Sequence, residues 1–125
     1  MSYLLDTTII VQHVNGDPAA LRMVRRLFEE TGDLYTCDVV TCEAMSGGSD
    51  EERRDTARLL DALEYVAIDP EGARWAGAKR LELAQSSRRG VGDALIAATA
   101  WRLGATVVTR NAADFERFGV PVLEY

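Results

Sequence analysis

The feature that most constrains the fold is an alternation of short apolar segments with longer amphipathic ones along the 125 residues. This alternation is typical of a parallel sheet covered by helices. The apolar runs predict strands at 3–6, 34–37, 65–68, 106–109 and 121–123. The amphipathic segments predict helices at 7–14, 17–30, 39–47, 50–62, 70–86 and 91–103, with a short turn of helix at 112–117. We therefore expect one α/β domain over 1–125.

Capping residues mark several of these helix boundaries. Asp17-Pro18 and Asp69-Pro70 each combine a side-chain acceptor at the N-cap with a proline at the first helical position. Gly104 follows the segment “AATAWRL” and is expected to end its helix in a left-handed conformation.

Acidic residues stand where predicted strands end or where the next helices begin. Asp6 comes directly after the apolar run “YLL”, and Glu43 lies in “DVVTCEAM”, on the helix after the second strand. Asp93 lies in the first turn of the helix that contains “DALIAATA”. In a parallel sheet with right-handed crossovers, strand ends and the N-termini of the following helices share one edge. We therefore expect these three carboxylates to lie close together.

The segment “VVTRNAADF” adds polar groups to the same edge. It runs from a predicted strand into a helix and carries Thr109, Asn111 and Asp114. Four carboxylates crowded together repel one another unless a cation lies among them. Oxygen ligands favour magnesium or manganese over zinc, which prefers His or Cys.

Each acid also has a purely structural explanation. Asp6 could cap a helix, Glu43 could be a solvated surface residue, and the helix dipole favours Asp93 in a first turn by ~0.3–1 kcal/mol. His13, the single histidine, lies among apolar residues and is interpreted as structural or half-exposed rather than as a ligand. Cys42 is expected to point away from Glu43, into the core.

Charge and targeting signals narrow the class of protein further. The net charge of −6 argues at first sight against a nucleic-acid partner, although most of the 14 basic residues are clustered arginines. Two of these clusters have helical spacing, which is typical of solvated helix faces with ion pairs. Two cysteines are too few for a disulfide framework. The sequence has neither a signal-peptide pattern nor an apolar run of the roughly 20 residues that a membrane span needs. We expect a cytoplasmic protein that does not contact the membrane.

The segments “LLDTTIIV”, “VVTCEAM”, “GVGDALIAATA” and “VVTRNAADFERFGVPV” occur in an order and spacing that resemble the PIN-domain superfamily, specifically the VapC toxin ribonucleases of bacterial toxin–antitoxin pairs. The resemblance spans essentially the whole chain. It implies a three-layer α/β/α sandwich with a central, mainly parallel sheet of four to five strands. It also implies an acidic quartet that binds magnesium or manganese and cleaves RNA.

Carried over residue by residue, the resemblance assigns the family's three most regular acids to Asp6, Glu43 and Asp93, and its small hydroxyl residue to Thr7. Many relatives have an aspartate at the position of Asn111, whereas others have an asparagine there and an acid three residues later, here Asp114. We favour Asp114 as the charged member, with Asn111 and Thr109 in support. Whether the acids hold one metal or two stays open.

The resemblance also implies partners. VapC-like toxins form homodimers, bind RNA as substrate and are silenced by a VapB-like antitoxin, which connects them only indirectly to DNA. Arg88, Arg89 and Arg110 lie beside the predicted acids in sequence and are candidates for contacts with the RNA backbone, although they could equally be solvated loop charges.

Other folds with clustered acids fit the sequence less well. A receiver domain needs an acidic pair after its first strand and a lysine after a later one, but Asp6 stands alone and Lys79 lies within a predicted helix. A haloacid-dehalogenase-like phosphatase needs a second aspartate at the position of Thr8. The remaining alternative is a catalytically inactive PIN-like scaffold that binds RNA or protein. It stays open because Asn111 stands where many relatives have an acid.

Overall fold

The computed structural model describes residues 1–30, 32–84 and 90–125. Within these ranges the strands are β1 (Ser2–Leu5), β2 (Asp33–Cys37), β3 (Glu64–Val66), β4 (Thr106–Thr109) and β5 (Val122–Glu124). The helices are α1 (Thr7–Val14), α2 (Pro18–Glu29), α3 (Asp38–Ala44), α4 (Asp50–Asp61), α5 (Pro70–Glu82), α6 (Val91–Leu103) and α7 (Ala112–Glu116). The predicted strands and helices are confirmed, with differences of one to a few residues at their ends.

The five strands form one sheet in the order β3-β2-β1-β4-β5, and every neighbouring pair is parallel. The central strand β1 is buried on both faces, with Leu4 and Leu5 fully inaccessible. Right-handed crossovers place α1–α4 on one face of the sheet and α5–α7 on the other. The packing of α1 against α2, α3 and α4, and of α6 against α5 and α7, agrees with this α/β/α sandwich.

The predicted caps are present. The carboxylate of Asp17 accepts a hydrogen bond from the Ala20 amide at 3.0 Å, and that of Asp69 accepts one from the Gly72 amide at 2.6 Å. Gly104 ends α6 with a φ of 63°. The first strand ends one residue earlier than predicted because Asp6 leaves the sheet to cap α1.

The expectation that Cys42 lies in the core is wrong: its side chain is exposed, whereas Cys37 is buried, and both thiols are free. The reason is the orientation of α3, which buries Val40 and Ala44 against the rest of the fold. Cys42 lies two residues from each of them, roughly 200° around the helix, and so faces solvent.

Across the described parts of the chain, none of the helices combines the length and the apolar character that crossing a bilayer requires.

Candidate active site

Asp6 lies at the carboxyl end of β1, where it is 2% exposed. Its Oδ1 accepts hydrogen bonds from the Thr8 hydroxyl at 2.7 Å and from the Ile9 amide at 3.1 Å. Burial raises the pKa of its carboxyl, and hydrogen bonds from Thr109, Thr8 and Ile9 oppose that rise by stabilising the charged form. Asp6 is therefore both a helix cap and a firmly oriented carboxylate at the edge of the sheet.

Glu43 reaches this edge from α3. Its Oε1 accepts a hydrogen bond from the Thr7 hydroxyl at 2.6 Å. Its other oxygen lies against the N-terminal turn of α6, since a Cβ atom added to Gly92 would be 2.7 Å from Oε2. The exposed Glu43 carboxylate thus bridges the first turns of α1 and α6, and Thr7 is its hydrogen-bond partner.

Asp93 is the third residue of α6 and is half-buried. The N-cap of this helix is Gly90, which has no side chain to cap it, so Asp93 is not the cap. Burial raises the pKa of Asp93, and the negative charges of Asp114, Glu43 and Asp6 add to the rise in that order, which brings the pKa to about 6. All four acids predicted to converge therefore interact electrostatically at one edge of the sheet.

The two candidates for the fourth position have different surroundings. Asp114 is half-buried in the first turn of α7, and of the three acids around Asp93 it has the largest effect on the Asp93 pKa. Asn111 is exposed, and its side chain makes no capping hydrogen bond. Its backbone amide donates to the Thr109 hydroxyl oxygen at 3.0 Å, which leaves the Thr109 proton free to reach Asp6.

Of the three candidate RNA-binding arginines, the structure describes Arg110. Arg110 forms an ion pair with Asp17 at 2.6 Å, and its guanidinium lies 4.9 Å from the centre of the Tyr125 ring. Arg88 and Arg89 lie outside the described residues. His13 is half-buried on α1, and burial lowers the pKa of its imidazole.

The donor set fits a hard cation. It consists of four carboxylates, and the Asp93 pKa is raised first by burial and then by repulsion from the other three acids, which a cation would relieve. The absent side chain at position 92 provides room for one of these carboxylates. Among the described residues, however, no three His, Cys, Asp or Glu side chains are already arranged as a metal-binding group. A cation would therefore have to draw the carboxylates closer together.

Sequence reasoning missed four residues that shape this site: Thr8, Asp17, Gly92 and Tyr125. The hydroxyl of Thr8, two positions after Asp6, and the glycine immediately before Asp93 were detectable signals. The roles of Asp17 and Tyr125 depend on contacts with Arg110 that join distant parts of the chain. No local pattern reveals such contacts.

Comparisons with known proteins identify the family of this chain. The PIN domain model matches residues 3–121. Ribonuclease VapC19 from Mycobacterium tuberculosis is 31% identical over 117 residues, which cover 92% of this chain and 93% of that protein. The tRNA(fMet)-specific endonuclease VapC from Shigella flexneri is 30% identical over 128 residues, which cover 95% of this chain and 93% of the relative.

A solved structure is similar over the same extent. VapBC2 from Rickettsia felis, bound to a DNA fragment from its promoter, contains a chain that aligns with a TM-score of 0.81 and 25% identity, covering 99% of this chain and 98% of that one. The match to the family model, the two relatives and this structure each extend over nearly the whole sequence. This chain belongs to the PIN-domain family, within its VapC branch.

Proposed function

We propose that this protein is a metal-dependent endoribonuclease and the toxin of a toxin–antitoxin pair. The observation that carries the proposal is the electrostatic convergence of Asp6, Glu43 and Asp114 on Asp93, at the edge of the sheet where open α/β folds bind ligands. Relatives that are named ribonucleases and match nearly the whole chain support the reaction class.

The proposed cofactor is magnesium or manganese. Asp6 and Asp93 would be its direct ligands. Glu43 and Asp114 would have one of three roles: they would bind the ion through water, complete a second metal site, or take the proton from the nucleophile. When bound, such an ion lowers the pKa of a coordinated water and offsets charge on the phosphoryl oxygens.

Neighbouring residues fix one oxygen of some of these carboxylates by hydrogen bonds and leave the other oxygen available. The Thr8 hydroxyl and the Ile9 amide both donate to Oδ1 of Asp6, which leaves Oδ2 with spare acceptor capacity. Thr7 fixes one oxygen of Glu43 and leaves the other facing α6. Asp93, with a pKa of about 6, carries its negative charge at neutral pH and is available to a cation.

The proposed partners are RNA as substrate, a VapB-like antitoxin and a second copy of the chain, with DNA reached only through the antitoxin. The solved VapBC2 complex supports the antitoxin. Arg88, Arg89 and Arg110 are proposed to contact the RNA backbone. The side chain of Arg110 is 39% exposed beside Asp17, so its outer edge remains open to a phosphate.

The test is cleavage of a structured RNA by the purified protein in magnesium or manganese, in EDTA, and with Asp93→Asn. We expect cleavage in either metal, with products ending in 5′-phosphate and 3′-hydroxyl groups, and loss of cleavage with EDTA and with the variant. Cleavage that persists in EDTA would remove the metal mechanism. RNA binding without cleavage under every condition would favour the alternative, a catalytically inactive PIN-like scaffold that binds RNA or protein. The observation that motivates this alternative is Asn111, which stands in place of an acid.

A further inference from the structure

A cavity opens beside the acidic site, where α1 packs against α3 and α4. Its volume is about 230 Å³, equal to that of roughly eight water molecules, which is more than one flat purine base displaces. Val11, Val14 and Ala44 form its apolar walls. Glu43 lines this cavity and also belongs to the acidic cluster. A nucleotide whose phosphate lies at the acids therefore has its base within reach of the cavity.

The polar groups of the cavity favour an uncharged ligand that donates hydrogen bonds. Among the described residues that line it, Glu43 and Glu52 carry carboxylates and none is basic. Two negative charges would repel a phosphate placed in this space. A neutral base avoids that repulsion, and its N–H groups can donate to the carboxylate oxygens.

Glu52 is half-buried and is held in place by the capping box of α4. Its Oε1 accepts a hydrogen bond from the Ser49 amide at 3.0 Å, and its own amide donates to the Ser49 hydroxyl oxygen at 3.1 Å. The hydrogen bonds with Ser49 lower the pKa of the Glu52 carboxyl, so this group is charged at neutral pH. The bond to Oε1 leaves Oε2 able to accept further hydrogen bonds. Glu52 thus presents a fixed, charged acceptor to the cavity.

Guanine fits such a carboxylate better than the other bases do. Its Watson–Crick edge carries two adjacent donors, the N1 and N2 hydrogens, and a carboxylate only accepts. Adenine and cytosine each place an accepting ring nitrogen beside their amino group, and uracil has a carbonyl oxygen on each side of its single N–H. These acceptors would face the carboxylate without a proton between them, which leaves a polar group unsatisfied.

We propose that this cavity binds an unpaired guanine next to the phosphate that is cleaved, and that Glu52 selects this base. The inference rests on the proposed function, because it takes RNA as the substrate. Since Glu52 occupies the Watson–Crick edge of the guanine, this base cannot be paired at the same time. The substrate is therefore cut in a single-stranded segment or a loop.

Binding of short RNAs tests the proposal without requiring cleavage. The probes are fluorescent single-stranded RNAs of uridine with one central guanosine, inosine or adenosine, and inosine differs from guanosine only by lacking the 2-amino group. Binding is measured by fluorescence anisotropy with Asp93→Asn, in which cleavage is expected to be lost. We expect the guanosine RNA to bind roughly tenfold more tightly than the inosine or adenosine RNA, as for a hydrogen bond to a charged group.

Glu52→Gln in the same protein tests the role of the carboxylate. The capping box accepts glutamine at this position, so the melting temperature should not change. An amide group replaces one acceptor oxygen, and we expect the preference for guanosine over inosine to disappear. The ratio of the two affinities cancels any general gain from removing a negative charge. Glu51→Gln is the matched control, because Glu51 is exposed, lies outside the cavity lining and undergoes the same change of charge. It should keep the full preference.

Equal affinities for the guanosine and inosine RNAs would overturn the proposal and leave the cavity to a protein partner. A preference that survives Glu52→Gln would overturn the role of Glu52. Mapping of the RNA ends produced by the wild-type protein separates these results from the proposed function. Cleavage without a guanine beside the cut would remove this inference alone, whereas binding that prefers guanosine without any cleavage would remove the nuclease alone. A protein that binds none of these RNAs would overturn both.

Discussion

The carboxylate of Glu43 occupies the space that Gly92 leaves by having no side chain. A Cβ atom at position 92 would be 2.7 Å from Oε2 of Glu43, closer than side-chain atoms normally approach. The other carboxylate oxygen is fixed by the Thr7 hydroxyl at 2.6 Å. Gly92, next to Asp93 in sequence, therefore helps to set the position of a second acid.

Gly92→Ala should reduce activity without destabilising the protein. The added methyl group would displace the end of a flexible side chain, which costs the fold little, and alanine is favoured over glycine in a helix by ~1 kcal/mol. The displaced carboxylate should lower the rate of RNA cleavage by roughly 10- to 100-fold. Cleavage rates and thermal melting measure the two effects separately.

The matched control is Gly77→Ala on α5, where an added Cβ meets nothing within 4 Å. It should keep full activity and gain a similar small stability. A Gly92→Ala variant that cleaves RNA at the wild-type rate would show that the position of Glu43 is unimportant for the reaction.

Asp93 should make the metal-free protein less stable as pH rises. Its pKa is about 6 in the folded protein against 3.8 for the free side chain, so the folded state binds the proton more tightly. The stability contributed by the protonated carboxyl is full below about pH 4 and is lost as pH rises through about 6. Asp93→Asn, which cannot ionise, should escape this loss of about 1–2 kcal/mol, once solvent screening is allowed for.

The measurement is the melting temperature of both proteins in EDTA across this pH range. The difference between variant and wild type should be near zero at the acid end and grow to a few degrees above about pH 6. A difference that does not change with pH would mean that burial and the neighbouring carboxylates do not raise the Asp93 pKa in the folded protein.

The fourth position can be assigned by two substitutions. Asp114 is half-buried and acts on Asp93, whereas the side chain of Asn111 is exposed and its contact with Thr109 runs through the backbone. Asp114→Asn should therefore lower the cleavage rate by roughly 100-fold or more, and Asn111→Ala by less than roughly tenfold. If the losses come in the opposite order under identical metal concentrations, Asn111 is the residue that completes the site.

Expression in bacteria tests the toxin assignment. Without its antitoxin, the wild-type protein should arrest growth, and Asp93→Asn at an equal protein level should not. Colony counts after induction, with immunoblots to compare protein levels, provide the measurement. Equal arrest by both proteins would show that toxicity does not depend on this acidic site.

Much of the architecture was predictable because its signals are local. Asp17-Pro18, Asp69-Pro70 and Gly104 each stabilise a particular backbone conformation at their own position, so the helix boundaries follow from the sequence. The convergence of the acids followed from the rule that the strand ends of a parallel sheet share an edge. Neither inference required knowledge of distant contacts.

The features that the sequence did not predict depend on how the helices and strands are oriented and packed against one another. The exposure of Cys42 is set by which face of α3 packs inward, and α3 is too short for its pattern to decide this. Arg110 pairs with Asp17 across 93 positions of sequence, so its neighbours in the chain gave no sign of a structural role. The contact between Glu43 and Gly92 likewise exists only after α3 and α6 pack together.

Melting curves in EDTA and in millimolar magnesium decide whether the carboxylates gathered around Asp93 form a cation site. At neutral pH in EDTA, Asp93→Asn should melt at the same or a higher temperature than wild type, because it removes like-charge repulsion. Magnesium should reverse this order, because a ligand that binds only the folded state stabilises it by RT ln(1 + [L]/Kd), and the variant has lost much of that affinity. A wild-type protein indifferent to magnesium, together with a variant that melts lower in EDTA, would contradict the account and leave Asp93 as an ordinary helix-terminal acid.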